Sequence, residues 1–528
     1  MTLNLIPRPL SVTQTEASLL LTADATVSGP APWQAAVRRL LTAGTGYDLL
    51  PGEPAAIRLV EDAALEPEAY RLEIDTDGIT ITAADLAGVN WATQTLRQLL
   101  PASAYAAGPT AATYPLPGVR IEDAPRFAWR GMMIDTGRHF VPLPALYTHL
   151  NLMAQHKYNV FHLHLTEDQG WRFESKSFPR LTERASWRSE SQNPAWAEGD
   201  GTPHGGFYTQ VQLRALVSYA AQRGITIVPE VEFPGHVRAF LAAYPEYGNS
   251  ERAKDPATTW GIFPEVLNMS DESLDAVFAI FTEVLDVFPS VFVHVGGDEV
   301  PRTEWYASEA ARRLAADRGL PGPDHLQRWF TERLRDWLAE RGRRLVGWDE
   351  INDEGPLEGA VAMAWRDAKY GVAAAEAGLD VVMSPTSHTY LDYYPSMDDD
   401  ERYSIGGHLP VEQVYEFEPL ADIPAEQHHR VLGTQCQLWT EYVPTPSQLE
   451  YMLWPRACAH SEVAWSDPTG RSFEEFSTRL TGHLERLTAQ GVNFRPLTGP
   501  LPWQQGGTGR YRRPDAHRAR DHDLREQP

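Results

Sequence analysis

The 528-residue sequence predicts an α/β protein, a (β/α)8 TIM barrel preceded by a small α/β domain, and three observations lead there. Eight short apolar runs recur along the chain, each followed by helix-period sequence or a long loop. The residues just beyond those runs are rich in acids and aromatics, as expected where strand ends converge on one mouth. No G-x-G-x-x-G follows any run, which argues against the alternative, a doubly wound open sheet.

Residues 1–123 make up the first unit. Tyr70-Arg-Leu-Glu-Ile-Asp and Gly78-Ile-Thr-Ile-Thr-Ala read as strands, and Asn90 to Leu100 as a helix. Pro115 to Pro125, with its turn residues, reads as the joint to the next unit. Residues 124–498 are the barrel. Its runs begin at Arg130, Tyr158, Ile225, Val291, Arg344, Ala360, Leu379 and Val431, and Leu143–His156, Gln210–Arg223, Ser273–Val287 and Leu326–Arg341 have helical apolar spacing between them. From Gly499 to Pro528 the chain turns polar and Arg-rich and is expected to be a tail.

Composition narrows the partners. Lys plus Arg is 46 against 71 for Asp plus Glu, a net charge of −25 that repels phosphate backbones and anionic lipid, so neither nucleic acid nor membrane is expected. No stretch approaches the ~20 apolar residues of a membrane span. The start lacks the pattern of a secretory signal, and only Cys436 and Cys458 are present, so the expected location is the cytoplasm. The 16 Trp offer flat apolar faces suited to sugar rings as well as to a core.

The most informative stretch is Val291 to Val300, V-F-V-H-V-G-G-D-E-V. A buried-strand run breaks at Gly296-Gly297 and presents two adjacent acids, Asp298 and Glu299. Paired acids at a strand end can have different proton affinities, which general acid catalysis needs. Alone, the string could equally be a turn with solvated acids. The other strand ends decide: Arg138 after the first, Asp168 after the second, His236 after the third, Trp348 and Trp365 at the fifth and sixth, Tyr390 and Asp392 after the seventh, Trp439 and Glu441 after the eighth. Indole faces with Arg, Asp and Glu suit a carbohydrate. His162 and His164 form an H-x-H that would also suit a metal-dependent barrel hydrolase, but the other strand ends supply no full ligand set, so no metal and no cofactor are expected. His294, mid-strand, reads as a hydrogen-bonded core residue, and Glu230 and Glu232 as structural or as supports behind the residues that meet the substrate. Trp171, Trp260 and Trp305 could line the mouth or pack.

H-V-G-G-D-E, with N-V-F-H-L-H-L-T-E-D-Q-G-W-R, V-P-E-V-E-F-P-G-H and L-W-T-E, resembles the family 20 glycoside hydrolases, the β-N-acetylhexosaminidases, from roughly Ile6 to Arg495. That resemblance implies a retaining hydrolysis in which the substrate's 2-acetamido oxygen attacks the anomeric carbon, an exception to the two-carboxylate scheme. It implies that Glu299 is the general acid and Asp298 the carboxylate orienting the acetamido N–H. Tyr390 would hold the acetamido oxygen. Arg138 and Glu441 would clamp O3 and O4, with Asp392 toward O4 or O6, and Trp348, Trp365 and Trp439 would box the acetamido methyl and ring. Asp168 and His236 would position Glu299. The substrate implied is an oligosaccharide or glycoconjugate ending in β-linked GlcNAc or GalNAc. Release of a disaccharide such as lacto-N-biose, a covalent mechanism with Asp392 as nucleophile, and an inactive sugar-binding barrel are the alternatives. One departure is visible: Phe417, in Tyr415-Glu-Phe-Glu-Pro419, stands where related sequences place a Trp, on the side expected to face the leaving group.

Overall fold

The computed structural model describes residues 3–192, 198–250 and 255–505. In the small domain, β1 (Ser11–Thr22), β2 (Val27–Ser28), β3 (Ile57–Glu61), β4 (Tyr70–Asp75), β5 (Gly78–Ala83) and β6 (Thr113–Asp123) form a sheet in the order β1-β6-β4-β5-β3-β2. Tyr70, Leu72 and Ile74 alternate with exposed residues along β4, the period of a strand with one buried face. Two helices complete the domain, α1 (Ala31–Thr45) and α2 (Leu86–Leu99). Asp85 caps α2 by accepting from the Gly88 N–H. Helix α2 is buried nearly all round because it lies between this sheet and the first helix of the barrel.

The expected joint at Pro115–Pro125 is instead mostly β6. Its residues 119–123 pair with β4, whereas Pro115 and Pro117 lie where only β1 pairs, so a missing N–H is tolerated on the free side. The link to the barrel is therefore shorter, from Ala124 to Ala128.

Eight parallel strands then close into a barrel: β7 (Trp129–Asp135), β8 (Val160–His164), β9 (Thr226–Glu230), β10 (Phe292–His294), β11 (Arg344–Trp348), β12 (Val361–Ala364), β13 (Asp380–Met383) and β14 (Val431–Leu438). Each coincides with one of the eight apolar runs. The ring is sealed where β14 pairs with β7, Gln435 opposite Gly131. Crossover helices include α3 (Leu143–Gln155), α4 (Gln210–Ala221), α5 (Asp271–Val287) and α6 (Leu326–Ala339). Thr209 and Gln212 form a capping box on α4, and Ser270 caps α5 with Asp271 and Glu272 in its first turn, favourable to the helix dipole. Strand residues alternate between two cores: Met132, Ile134, Phe161 and Leu163 pack outward under the helices, Met133, Val160, Val228 and Met363 inward. Trp171 and Trp305 are wholly buried and simply pack, while Trp260 is half-buried beside His139 and Tyr442.

The two units are riveted by a buried ion pair. Lys157 Nζ lies 2.6 Å from Asp123 Oδ2 at the end of β6, and donates to the Tyr70 hydroxyl at 2.9 Å. Trp465 completes the cluster, donating from Nε1 to Asp123 Oδ1 at 2.9 Å. Both cysteines are free and buried, and no described helix is long and apolar enough to cross a membrane. Of the expected tail, residues 506–528 lie outside the described residues.

Candidate active site

The turn after β10 explains why Gly-Gly precedes the two acids. Gly296 and Gly297 have φ of +69° and +94°, and a Cβ on Gly296 would sit 1.6 Å from Glu232 Oε2, so only glycine passes. Glu299 itself has φ +50°, as does His236, both in a region that L side chains adopt at a cost and that clusters at functional sites. The turn buries Asp298 and leaves the Glu299 side chain 33% exposed. His236 sits behind both acids, its Nε2 3.6 Å from Asp298 Oδ2 and from Glu299 Oε2. Its Nδ1 is 3.0 Å from Asp168 Oδ2, and Asp168 Oδ1 is held by the Arg238 N–H.

Above this turn opens a cavity of about 250 Å³. Arg138, Asp298, Glu299, Trp348, Trp365, Tyr390, Asp392, Trp439 and Glu441, expected from the sequence to act on or bind substrate, all line it. The three indoles and Tyr390 form a connected wall: Trp348 is 5.7 Å from Trp439 and 6.5 Å from Trp365, whose ring lies 6.1 Å from Tyr390. Each indole has an anchor. Trp348 Nε1 donates to Glu230 Oε1 at 2.9 Å, Trp365 Nε1 to Glu350 Oε2 at 2.8 Å, and the Arg138 guanidinium covers Trp439 at 4.8 Å. Opposite, Arg138 Nη2 lies 2.7 Å from Glu167 Oε1. Asp392 Oδ1, Asp298 Oδ1 and Arg138 Nη1 are buried without a hydrogen-bond partner, polar atoms set for a ligand with hydroxyls and an amide.

Burial pushes the Asp298 carboxyl up to about 6, against the pull of His236 and with Glu299 adding to the rise. Burial also raises Glu441 to about 7, opposed by Arg138, and raises Asp392, reinforced by Glu441. Tyr390 is raised by burial and stays a hydroxyl donor at neutral pH. Burial alone would keep His236 neutral, but Glu167 and Asp168 override it and hold the ring protonated.

Below the cavity, the H-x-H histidines are committed to one carboxylate. His162 Nε2 lies 2.9 Å from Glu230 Oε2 while its Nδ1 accepts from Gln435, and His164 Nδ1 contacts the same carboxylate. His294 Nδ1 is 2.7 Å from Glu230 Oε1, the hydrogen-bonded core histidine expected. These groups converge closely enough to hold a cation, and they lie under Trp348 rather than on the cavity, gathered around the Glu230 carboxylate.

Phe417 is corrected. It does not line the cavity: it is buried with Ala364, Ala375 and Ile423 and stacks on His388 at 5.0 Å, because helix Val411–Glu416 ends there and turns the ring inward. Several contributors were not singled out in the sequence. Asp135 ties the ends of β7 and β14 by accepting from the Thr440 N–H and hydroxyl; Glu167 joins Arg138 to His236; and Tyr393, Tyr403 and the 404–407 loop close one wall. For Glu167 the signal was its place beside Asp168 at the same strand end.

A barrel with paired acids under an indole-walled hollow defines a carbohydrate-acting hydrolase. Comparison with known proteins then narrows the class. The family model for glycosyl hydrolase family 20, domain 2, matches residues 2–124, and that for the family 20 catalytic domain matches residues 127–468. A β-hexosaminidase of Porphyromonas gingivalis is 38% identical over 526 residues, 96% of this chain and 66% of that protein. Among solved structures, the exo β-N-acetylglucosaminidase of Vibrio harveyi in complex with N-acetylglucosamine superposes with a TM-score of 0.84 at 31% identity, covering 94% of this chain and 78% of that one. The β-N-acetylhexosaminidase of Streptomyces coelicolor A3(2) gives 0.82 at 30%, covering 94% and 99%. The chain belongs to glycosyl hydrolase family 20.

Proposed function

We propose that this enzyme is an exo-acting, retaining β-N-acetylhexosaminidase that releases terminal β-GlcNAc, with β-GalNAc the second candidate sugar, through an oxazolinium intermediate. The observation that carries the reading is the convergence of both acids, the tyrosine, the three indoles and the Arg138–Glu441 pair on one cavity. That cavity, at about 250 Å³, is smaller than the about 300–1,000 Å³ of drug-sized sites, which favours one sugar ring over a disaccharide.

In the reaction so read, Glu299 gives its proton to the glycosidic oxygen as the acetamido oxygen attacks C1 and the C1–O bond breaks. Asp298 accepts the amide N–H and offsets the positive charge that develops there. Tyr390 donates to the acetamido oxygen and keeps it in line. Water then attacks C1 from the vacated face and gives its proton to Glu299, so two inversions yield retention. Glu299, partly exposed at the mouth, can meet both leaving group and water, whereas Asp298, deeper, cannot. A panel of aryl β-glycosides tests this: the 2-acetamido-2-deoxy sugars should turn over and the plain β-glucoside hardly at all. Comparable turnover of both would overturn participation by the substrate.

A further inference from the structure

Glu167 lies at a junction that the mechanism above does not use. Its side chain is almost wholly buried, and it fits only because residue 137 is glycine: a Cβ there would come within 2.6 Å of the Glu167 Cβ. One oxygen, Oε1, faces Arg138 Nη2 at 2.7 Å and His164 Nε2 at 3.3 Å. The other, Oε2, accepts from the Asp168 N–H at 3.0 Å and faces His236 Nδ1 at 3.3 Å. His236 in turn reaches both cavity acids from its Nε2. One carboxylate therefore separates the guanidinium assigned to the sugar's O3 and O4 from the imidazole behind the proton donor.

From this geometry we infer that Glu167 is a positioning residue that couples hydroxyl recognition at Arg138 to the placement of Glu299, an inference that rests on the function proposed above. Arg138 Nη1 is buried and makes no hydrogen bond, with Asp135 Oδ2 3.6 Å away, and so can still donate to a sugar hydroxyl. A hydroxyl seated there fixes the guanidinium, the guanidinium fixes the Glu167 carboxylate, and that carboxylate sets His236 against the two acids. Binding energy from a remote hydroxyl is thus realised at the reacting centre, so its loss lowers kcat and not only affinity. Charge supports the route: although burial opposes it, Arg138 and His236 hold the Glu167 carboxyl well below the ordinary carboxylate range, so it remains an anion between two cations.

The experiment compares kcat for an aryl 2-acetamido-2-deoxy-β-glucoside and its 4-deoxy analogue in the wild type and in Glu167→Gln. The wild type should lose about tenfold in kcat on deoxygenation, within the range for groups sharing a partner, and Glu167→Gln less than about threefold, with KM rising in both. An equal kcat loss in the two enzymes would overturn the coupling. The wild type alone gives a second readout needing no variant to fold: the basic limb of kcat against pH should move by about one unit between the two substrates, the same tenfold. Coincident limbs also overturn it. No turnover of the parent glycoside by the wild type overturns the functional reading and the coupling together; turnover with equal losses overturns the coupling alone.

Discussion

Replacing Asp298 by Asn should make the enzyme slower and the fold more stable at once. In the proposed reaction the carboxylate faces an amide that carries roughly half a positive charge at the transition state. A full charge pair ~4 Å apart at an effective dielectric of ~20 is worth about 4 kcal/mol, so half a charge is worth about 2 kcal/mol. The charge-assisted hydrogen bond adds about 2 kcal/mol, and the total of about 4 kcal/mol predicts a fall in kcat/KM of about 10³-fold at pH 7. In the wild type the working form is the anion, so kcat/KM should fall below about pH 6 as Asp298 takes up a proton, and Asn should abolish that limb. Stability runs the other way. The folded-state value, about 6, stands above the ordinary carboxylate value, so the protonated form favours the native state, and that advantage is lost as pH rises through 6. A rise of roughly two units corresponds to about 3 kcal/mol. Asn removes this penalty, so the variant should unfold later than the wild type at pH 7.5, with the gap closing below about pH 4. The assays are kcat/KM on an aryl 2-acetamido glycoside from pH 4 to 9 and urea midpoints across the same range. A variant that keeps a tenth of wild-type activity, or the wild-type acid limb, would refute the reasoning.

Three further outcomes follow from the same geometry. Glu299→Gln should lose about 10²–10⁴-fold with a poor leaving group and far less with a dinitrophenolate, which departs without a proton; equal losses on both would remove Glu299 as the acid. Tyr390→Phe should reduce kcat by about 10²-fold with little change in the melting temperature, because it deletes one donor at the developing charge and no packing volume; an unchanged kcat would take the hydroxyl out of the mechanism. Lys157→Met leaves Asp123 buried without its cation at the seam between the sheet domain and the barrel, and should destabilise by about 3–5 kcal/mol in urea, while a loss under about 1 kcal/mol would show that Tyr70 and Trp465 suffice to solvate the acid.

The eight barrel strands were legible because a parallel strand covered on both faces must be apolar along its length, and such runs stand out between helical segments. The site was legible for a related reason: barrel strands end at one mouth, so residues at Arg138, Asp298, Trp348 and Glu441, hundreds of positions apart, could be gathered into one set from sequence. Depth was not legible. Phe417 and Trp439 look alike as aromatics beside acids, yet a helix end turns one into the core and a strand end turns the other onto the cavity. Nor was partner choice: in Thr-Glu-Asp, Asp168 contacts His236 while Glu167 contacts both His236 and Arg138, and nothing in the string says which acid bridges. The prolines of β6 misled because their permissibility depends on which neighbour strand has already ended.

The polar barrel interior has a consequence for how the indole box is held. A buried carboxylate with three histidines around it is a costly way to fill space that Val or Leu would fill, and replacing such clusters by apolar residues is often stabilising in other proteins. Glu230 is held ionised here: burial opposes it, but His294, His164 and His162 keep its carboxyl far below the ordinary range. That anion accepts from Trp348 Nε1, so the central indole of the box is oriented by a charge beneath it and not by shape alone. An apolar barrel could be better packed, yet it would leave that N–H unsatisfied and the ring free to tilt into the cavity. The histidines therefore hold the Trp348 ring from below through Glu230, a role for H-x-H beside the metal-ligand alternative that its spacing allows.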